Sequence, residues 1–232
     1  MSTAIKGLLF DKDGTLFDFN ATWGVWCAGF IRDISEGDIT LARSLSEVME
    51  FDLDRGAFQE SAKFIAGTVD DILEPLRAFL PAWGRDDLLQ HIFESASTAP
   101  QVPVVALAPL LQRFRGNSLT IGVATNDNEM PAHAHLRSVE ILEYFDFVSG
   151  CDSGYGAKPE PGMLLGFCEA TGLEPHEVAM VGDSTHDLHA GRAAGMVNIG
   201  VLTGPARAED LEPFADVVLQ DIGAIPNWMG LN

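Results

Sequence analysis

Residues 5–15 read IKGLLFDKDGT, in which an apolar run is followed at once by two aspartates one residue apart. The run predicts a buried strand, and the loop after such a strand can direct Asp11 and Asp13 at one substrate atom. Taken alone, the pair is also compatible with a polar turn, because Asp and Gly are common turn residues. Its significance depends on three later segments that complete the same chemistry.

Short apolar runs alternate with helical segments over most of the chain. This alternation predicts an α/β protein whose core is a doubly wound, Rossmann-like parallel sheet. Three predicted helices, 104–115, 161–171 and 186–194, are each followed by a glycine, which commonly ends a helix. The predicted strands are 4–10, 119–124, 145–149, 178–181, 197–201 and 216–219.

Residues 17–99 interrupt this alternation with apolar residues at helical spacings and no clear strand. We therefore expect an all-helical cap domain at 17–99, inserted into an α/β catalytic core formed by 1–16 and 100–232. Because the insertion begins just after the Asp11 loop, it should lie above the carboxyl ends of the strands. A mobile cover over a site is the expected role of an element in that position.

Composition narrows the class of protein and its partners. The 232 residues are 47% hydrophobic and 21% charged, as in an ordinary globular protein. A formal charge of −20 argues against nucleic acid or anionic membranes as partners, because such binding needs clustered Lys and Arg. Without a long apolar segment or a leader, we expect a cytoplasmic protein, either a monomer or a homodimer. The three cysteines lack C-x-x-C spacing and indicate neither a disulfide framework nor a zinc site.

Four polar clusters each follow a predicted strand, and the carboxyl ends of parallel strands meet at one edge of a sheet. Carboxylates crowded there repel one another unless a divalent cation lies among them, and a few oxygen ligands suit Mg²⁺. A phosphate dianion beside the cation would take bonds from the hydroxyl, amide and ammonium groups. The clusters are Asp11 with Asp13, Thr125 with Asn126, Lys158, and Asp183 with Asp187.

In this order the segments resemble the four motifs of the haloacid dehalogenase superfamily, in its phosphatase branch. The resemblance extends over residues 4–219 and includes that family's helical cap after the first strand. Asp13 favours a phosphatase or a phosphomutase over a dehalogenase. The segments that carry the resemblance are DKDGT at 11–15, Thr125-Asn126, Lys158-Pro159 and GDSTHD at 182–187.

The resemblance also implies a role for each aspartate. Asp11 is the expected nucleophile and forms an aspartyl-phosphate. Asp13 is expected to protonate the leaving alkoxide and then to deprotonate the attacking water. Mg²⁺ is expected to be held by Asp11, the Asp13 backbone carbonyl and Asp183. Asp187 is expected either to bind the metal through water or to support the motif lysine.

The phosphate-binding residues follow from the same resemblance. Thr125, Asn126 and Lys158 are the expected partners of the transferring phosphoryl group, and Gly14 is expected to support the first loop. Lys158 should also neutralise Asp11 as that carboxylate approaches an anion. His186 stands where many related phosphatases have Asn, and its role is left open.

The motif set and cap type look most like the phosphoglycolate phosphatase group, which implies a small phosphorylated metabolite such as 2-phosphoglycolate as substrate. A β-phosphoglucomutase-like phosphomutase and a non-enzymatic phosphometabolite-binding module are the alternatives. Cap cations such as Lys63 and Arg77 are candidates for binding a second anionic group of the substrate. His133 and His135 show no metal-binding spacing and are interpreted as surface or supporting residues.

Overall fold

The computed structural model describes residues 5–59, 62 and 68–231, apart from the side chain of Asp70. Two sheets are present in this part of the chain, one of six parallel strands and one of two antiparallel strands. The strands are β1 (Gly7–Phe10), β2 (Phe51–Asp52), β3 (Ala57–Phe58), β4 (Thr120–Ala124), β5 (Phe147–Ser149), β6 (Val178–Gly182), β7 (Val197–Val201) and β8 (Val217–Leu219).

Helices separate the strands of the large sheet. A single π-helical turn at Asn20–Gly24 leads into the first of them. The α-helices are α1 (Val25–Ser35), α2 (Ile39–Val48), α3 (Val69–Arg77), α4 (Arg85–Ala96), α5 (Leu107–Gly116), α6 (Glu129–Ser138), α7 (Gly162–Thr171), α8 (Thr185–Ala194), α9 (Ala208–Leu211) and α10 (Ile225–Met229).

The large sheet has the order β5-β4-β1-β6-β7-β8, and the predicted parallel α/β core is confirmed. Strand β1 lies between β4 and β6, so that Phe10 is in register with Val123 on one side and Val181 on the other. The chain thus extends the sheet in opposite directions from β1. Such a switch point leaves a crevice beyond the carboxyl ends of the strands, where α/β proteins bind ligands.

Both faces of the sheet are covered, as expected for parallel strands. All four residues of β1 are buried, with Leu8 and Phe10 in one hydrophobic cluster and Leu9 in another. Residues of α5 and α10 belong to the first cluster, and residues of α7 and α8 belong to the second. The strand that carries the Asp11 loop is therefore held rigidly from both sides.

Residues of helices α1 to α4 form most of a third hydrophobic cluster, whose buried residues lie between Phe19 and Ala99. The separate cluster agrees with a helical cap, but the domain boundaries at residues 16, 17, 99 and 100 stay predictions. The expectation of an all-helical insertion is wrong, because β2 and β3 form a short hairpin there. The Asp52 carboxylate accepts bonds from the Asp54 and Arg55 N–H groups, and Gly56 has a φ of 66°; together they turn the chain back.

Two of the three predicted helix ends are confirmed. Gly172 and Gly195 follow α7 and α8 with φ values of 70° and 80°, in the left-handed region that glycine adopts without strain. Gly116 instead lies inside the last turn of α5, and Asn117 follows it. In the ranges that the structure describes, no helix has the length and apolarity needed to span a membrane.

Candidate active site

The residues predicted to carry the chemistry lie around one cavity at the carboxyl edge of the large sheet. Asp11 directly follows β1, Thr125 follows β4 and Asp183 follows β6. Lys158 comes from the loop between β5 and α7. Because these strands are neighbours in the sheet, residues far apart in the chain contact one another here.

Lys158 is the central cation of the site. Its Nζ lies 2.5 Å from Asp11 Oδ1 and 2.6 Å from Asp187 Oδ1, and it also donates to the Ala124 carbonyl at 2.8 Å. Burial alone would lower the pKa of Lys158, but the Asp11 and Asp187 carboxylates outweigh it and raise that pKa. The side chain is therefore a fixed ammonium in contact with the predicted nucleophile.

Three buried carboxylates, those of Asp11, Asp183 and Asp187, have oxygens within 4.8 Å of one another. Burial raises the pKa of Asp11 to about 7, against the lowering effect of Lys158. Burial and then the Asp11 charge raise the pKa of Asp183 well above its ordinary value. One ammonium does not balance three carboxylates, and a divalent cation with oxygen ligands fits this excess of buried negative charge.

Asp183 is closely surrounded by backbone. A methyl group added at Gly14 would lie 2.4 Å from Asp183 Oδ2, and one added at Gly204 would lie 1.7 Å from the same oxygen. Gly14 also has a φ of 82°. The Thr15 hydroxyl donates to Asp183 Oδ1 at 3.3 Å. At Gly14, glycine is thus required for both space and conformation. The supporting role of Gly14 stays a prediction.

The second motif contributes a hydroxyl and an amide. Thr125 is buried, and its Oγ1 accepts a bond from the Asp127 N–H at 3.1 Å, which leaves its own hydrogen available to a phosphoryl oxygen. The Asn126 amide bonds the Lys158 backbone in both directions, donating to its carbonyl at 2.9 Å and accepting from its N–H at 2.8 Å. Asn126 therefore aligns the Lys158 loop, and its donation to phosphate stays a prediction.

Asp187 contacts both the lysine and the start of its own helix. Its Oδ1 pairs with Lys158, and its Oδ2 accepts from the Ser184 hydroxyl at 2.7 Å and the Ser184 N–H at 3.1 Å. These bonds fix the carboxylate from two sides. The structure thus contains the contact with Lys158 that was one of the two roles predicted for Asp187.

The Asp13 side chain lies apart from the three clustered carboxylates. Its Oδ2 is 2.7 Å from the ammonium of Lys12, and its Oδ1 is buried without a hydrogen-bond partner. Lys12 also contacts Asp127 and His135. No function was predicted from the sequence for Lys12 or Asp127, and His135 was interpreted as a surface or supporting residue; His135 is buried. The sequence could have indicated a role for Lys12 through its position, because it is a charged residue between the two aspartates of the first motif.

The cavity, counted together with the open solvent at its mouth, spans ≈ 770 Å³. Among the described residues that line it, Lys158 is the only Lys or Arg. His186 lies in the lining, next to Asp187 in the fourth motif. The described cap arginines do not line the cavity, and Lys63 falls outside the described residues. The apolar cap residues of the lining are Phe19, Trp23, Trp26, Val69, Ile72, Ile92, Phe93 and Ala96.

Comparison with known proteins identifies similar sequences and folds. A family model of haloacid dehalogenase-like hydrolases matches residues 5–195. The chain is 28% identical to a phosphoglycolate phosphatase of Nitrosospira multiformis over 195 residues, which cover 82% of this chain and 80% of the relative.

Solved structures show the same fold over nearly the whole chain. A HAD phosphatase from Thermococcus onnurineus superimposes with a TM-score of 0.69 at 22% identity, covering 98% of this chain and 99% of its own. A β-phosphoglucomutase from Clostridium difficile gives 0.66 at 18% identity, covering 97% of each chain. At these identities the likeness establishes the architecture and leaves the reaction to be argued from the site.

Proposed function

This chain belongs to the haloacid dehalogenase-like hydrolase family and is a phosphatase; from that premise we propose that it hydrolyses a small phosphomonoester with Mg²⁺ through an aspartyl-phosphate on Asp11. The observation that carries the proposal is the buried cluster of Asp11, Asp183 and Asp187, with Lys158 in contact with Asp11. A nucleophile, a charge-neutralising cation and an excess of negative charge suited to a metal lie in one place. Phosphoryl transfer depends chiefly on such positioning and neutralisation.

In the proposed reaction, an Asp11 carboxylate oxygen attacks phosphorus while the bond from phosphorus to the ester oxygen breaks. Lys158 reduces the repulsion between this carboxylate and the phosphate, and the Thr125 hydroxyl donates to a phosphoryl oxygen. Asp13 gives its proton to the leaving oxygen and then takes one from the water that attacks the aspartyl-phosphate. Asp11, Asp183 and the Asp13 backbone carbonyl would hold Mg²⁺, which supplies further neutralisation of the transferring group.

Substitution of Asp183 by Asn tests the metal. We expect the Mg²⁺ concentration for half-maximal turnover to rise by about 100-fold or more, because a charged oxygen ligand becomes neutral in a crowded site. Calorimetric titration of Mg²⁺ without ester should show the same weakening. Asp86→Asn is the matched control, since that carboxylate is 98% exposed. Turnover that persists in the presence of excess chelator would contradict the metal dependence.

The names of the relatives make 2-phosphoglycolate the first ester to test, whereas the lining suggests a less polar alcohol. A carboxylate buried against the apolar cap residues would lose water without gaining a cation from the described lining. We therefore expect kcat/KM for isobutyl phosphate, which has a similar shape, to exceed that for 2-phosphoglycolate by about tenfold or more, equivalent to about 1.4 kcal/mol.

A cation placed in the lining should reverse this preference. In Phe93→Arg the ratio of the two kcat/KM values should move towards 2-phosphoglycolate, whereas Phe93→Leu should leave the ratio near its native value. If the native chain already prefers 2-phosphoglycolate, the apolar preference is wrong. Lys63→Gln would then show whether Lys63 binds the carboxylate.

The phosphomutase and binding-module alternatives make different predictions from the phosphatase. A mutase would keep its phosphoryl group on Asp11 until an acceptor sugar arrived, and a binding module would bind phosphate esters without cleaving them. We expect the native chain to release many equivalents of phosphate in water alone. A stable phospho-enzyme without acceptor would favour the mutase, and binding without cleavage would favour the module.

Location in the cytoplasm and the absence of nucleic acid and membrane partners form part of the proposal. The absence of both kinds of partner is supported by the formal charge of −20, which repels phosphodiester backbones and anionic lipid. The choice between a monomer and a homodimer stays open.

A further inference from the structure

Lys12, between the two aspartates of the first motif, is a charged side chain with no exposed surface. Its ammonium lies 2.7 Å from Asp13 Oδ2, 3.2 Å from Asp127 Oδ2 and 2.9 Å from His135 Nδ1. An ammonium has three donors. The contact with His135 is a hydrogen bond, whereas Asp127 Oδ2 lies within ion-pair distance but accepts no hydrogen bond. A buried lysine is costly unless it is paired with groups of opposite charge or with acceptors, as it is here.

The contact with Lys12 determines how the Asp13 carboxyl group is oriented relative to the cavity. One carboxylate oxygen, Oδ2, is held by the ammonium, and the other, Oδ1, is buried with no hydrogen-bond partner. Asp13 itself lines the cavity. A general acid must present a protonated oxygen within hydrogen-bond distance of the leaving group. With Oδ2 held by the Lys12 ammonium, the carboxyl group is restricted to the orientation in which Oδ1 carries that proton.

The same cluster extends to the cap through His135. Because His135 Nδ1 faces the Lys12 ammonium, Nε2 carries the hydrogen and donates to the carbonyl of Ala96, the last residue of α4, at 2.8 Å. Burial and the Lys12 charge lower the pKa of His135 to about 4, in agreement with a neutral ring. The Trp23 ring of the cap lies 5.3 Å from Lys12 Nζ and 5.8 Å from the His135 ring.

We infer that Lys12 is a positioning residue that holds Asp13 for proton transfer to the leaving group, and that His135 links this orientation to the docked cap. The inference rests on the proposed phosphatase reaction, in which Asp13 is the general acid. Lys12 does not line the cavity, so it acts through Asp13 rather than on the substrate. When the cap is docked, the Ala96 carbonyl orients His135, which orients Lys12 in turn.

The test is the dependence of kcat/KM on the leaving group. This parameter covers the steps up to the first irreversible one, formation of the aspartyl-phosphate. Alkyl phosphates need a proton on the leaving oxygen, whereas p-nitrophenyl phosphate does not. We expect Lys12→Met to lower kcat/KM by about 100-fold for alkyl phosphates and by less than about tenfold for p-nitrophenyl phosphate. Lys6→Met, which removes an exposed lysine paired with Glu177, should change neither value.

A second variant separates positioning from folding. Lys12→Met leaves two largely buried carboxylates without their cation. Adding Asp127→Asn removes one of them and should restore part of the thermal stability without restoring turnover of the alkyl substrates. His135→Leu should cause the same selective loss to a smaller degree. His133→Leu, on the same helix but partly exposed, should not.

An equal loss on alkyl and aryl esters in the double variant, or no loss on alkyl esters in Lys12→Met, would overturn the inference and leave the phosphatase assignment intact. Failure of the native chain to hydrolyse any ester would overturn both.

Discussion

Replacement of Asp11 by Asn should lower kcat by at least about 10⁴-fold on every ester, because the substitution removes the covalent nucleophile. The amide keeps the shape of the carboxylate but lacks the charge and nucleophilicity needed to attack phosphorus. The fold should survive, because Lys158 keeps its contacts with Asp187 and the Ala124 carbonyl. The loss would therefore report on chemistry rather than on unfolding.

The measurement is phosphate release at saturating ester and Mg²⁺, with thermal unfolding recorded for each variant. Asp86→Asn again supplies the control, because it makes the same chemical change at an exposed position. A folded Asp11→Asn protein with near-native turnover would show that another group attacks phosphorus.

Replacement of Lys158 by Met is expected to have the second largest effect. We expect kcat to fall by about 10³-fold, the upper end of the loss seen when one stabilising donor is removed. Without Mg²⁺, the free energy of unfolding should also fall by about 3 kcal/mol, because Asp11 and Asp187 lose a buried counter-ion. Steady-state kinetics and chemical denaturation measure the two effects separately.

The double variant Lys158→Met/Asp187→Asn distinguishes the two roles of this lysine. Neutralising Asp187 should recover part of the lost stability, because one of the unpaired carboxylates disappears. It should recover no turnover, because Asp11 still approaches the phosphate without a cation. Recovery of turnover would show that Lys158 only balances Asp187. Lys6→Met, which breaks the surface pair with Glu177, should affect neither property.

Much of the site was predictable because it follows from topology. Once the apolar runs are assigned to parallel strands, the residues just beyond β1, β4 and β6 must meet at one edge of the sheet. Asp11, Thr125 and Asp183 are placed there by strand order alone. Two helix ends were also predictable, because Gly172 and Gly195 adopt the left-handed backbone conformation that commonly ends a helix.

The contacts that the sequence did not reveal arise from tertiary packing. His135 lies on α6 and meets Lys12 only because that helix packs beside the Asp11 loop and the end of α4. No local spacing encodes this contact. The β2–β3 hairpin was missed because each strand has two residues, too few to show alternation. The bonds of Asn126 to the Lys158 backbone likewise depend on a loop 32 residues away.

The central claim is that the phosphoryl group is carried by Asp11, and trapping that intermediate tests it most directly. In Asp13→Asn, p-nitrophenyl phosphate should still transfer its phosphoryl group, because its leaving group needs no proton, whereas attack by water should be slow without the base. Acid quench and intact-mass spectrometry should show one added phosphoryl group per chain, located by fragmentation at Asp11. Release of p-nitrophenol with no phosphoryl group on the protein, or with the group on another residue, would contradict the account.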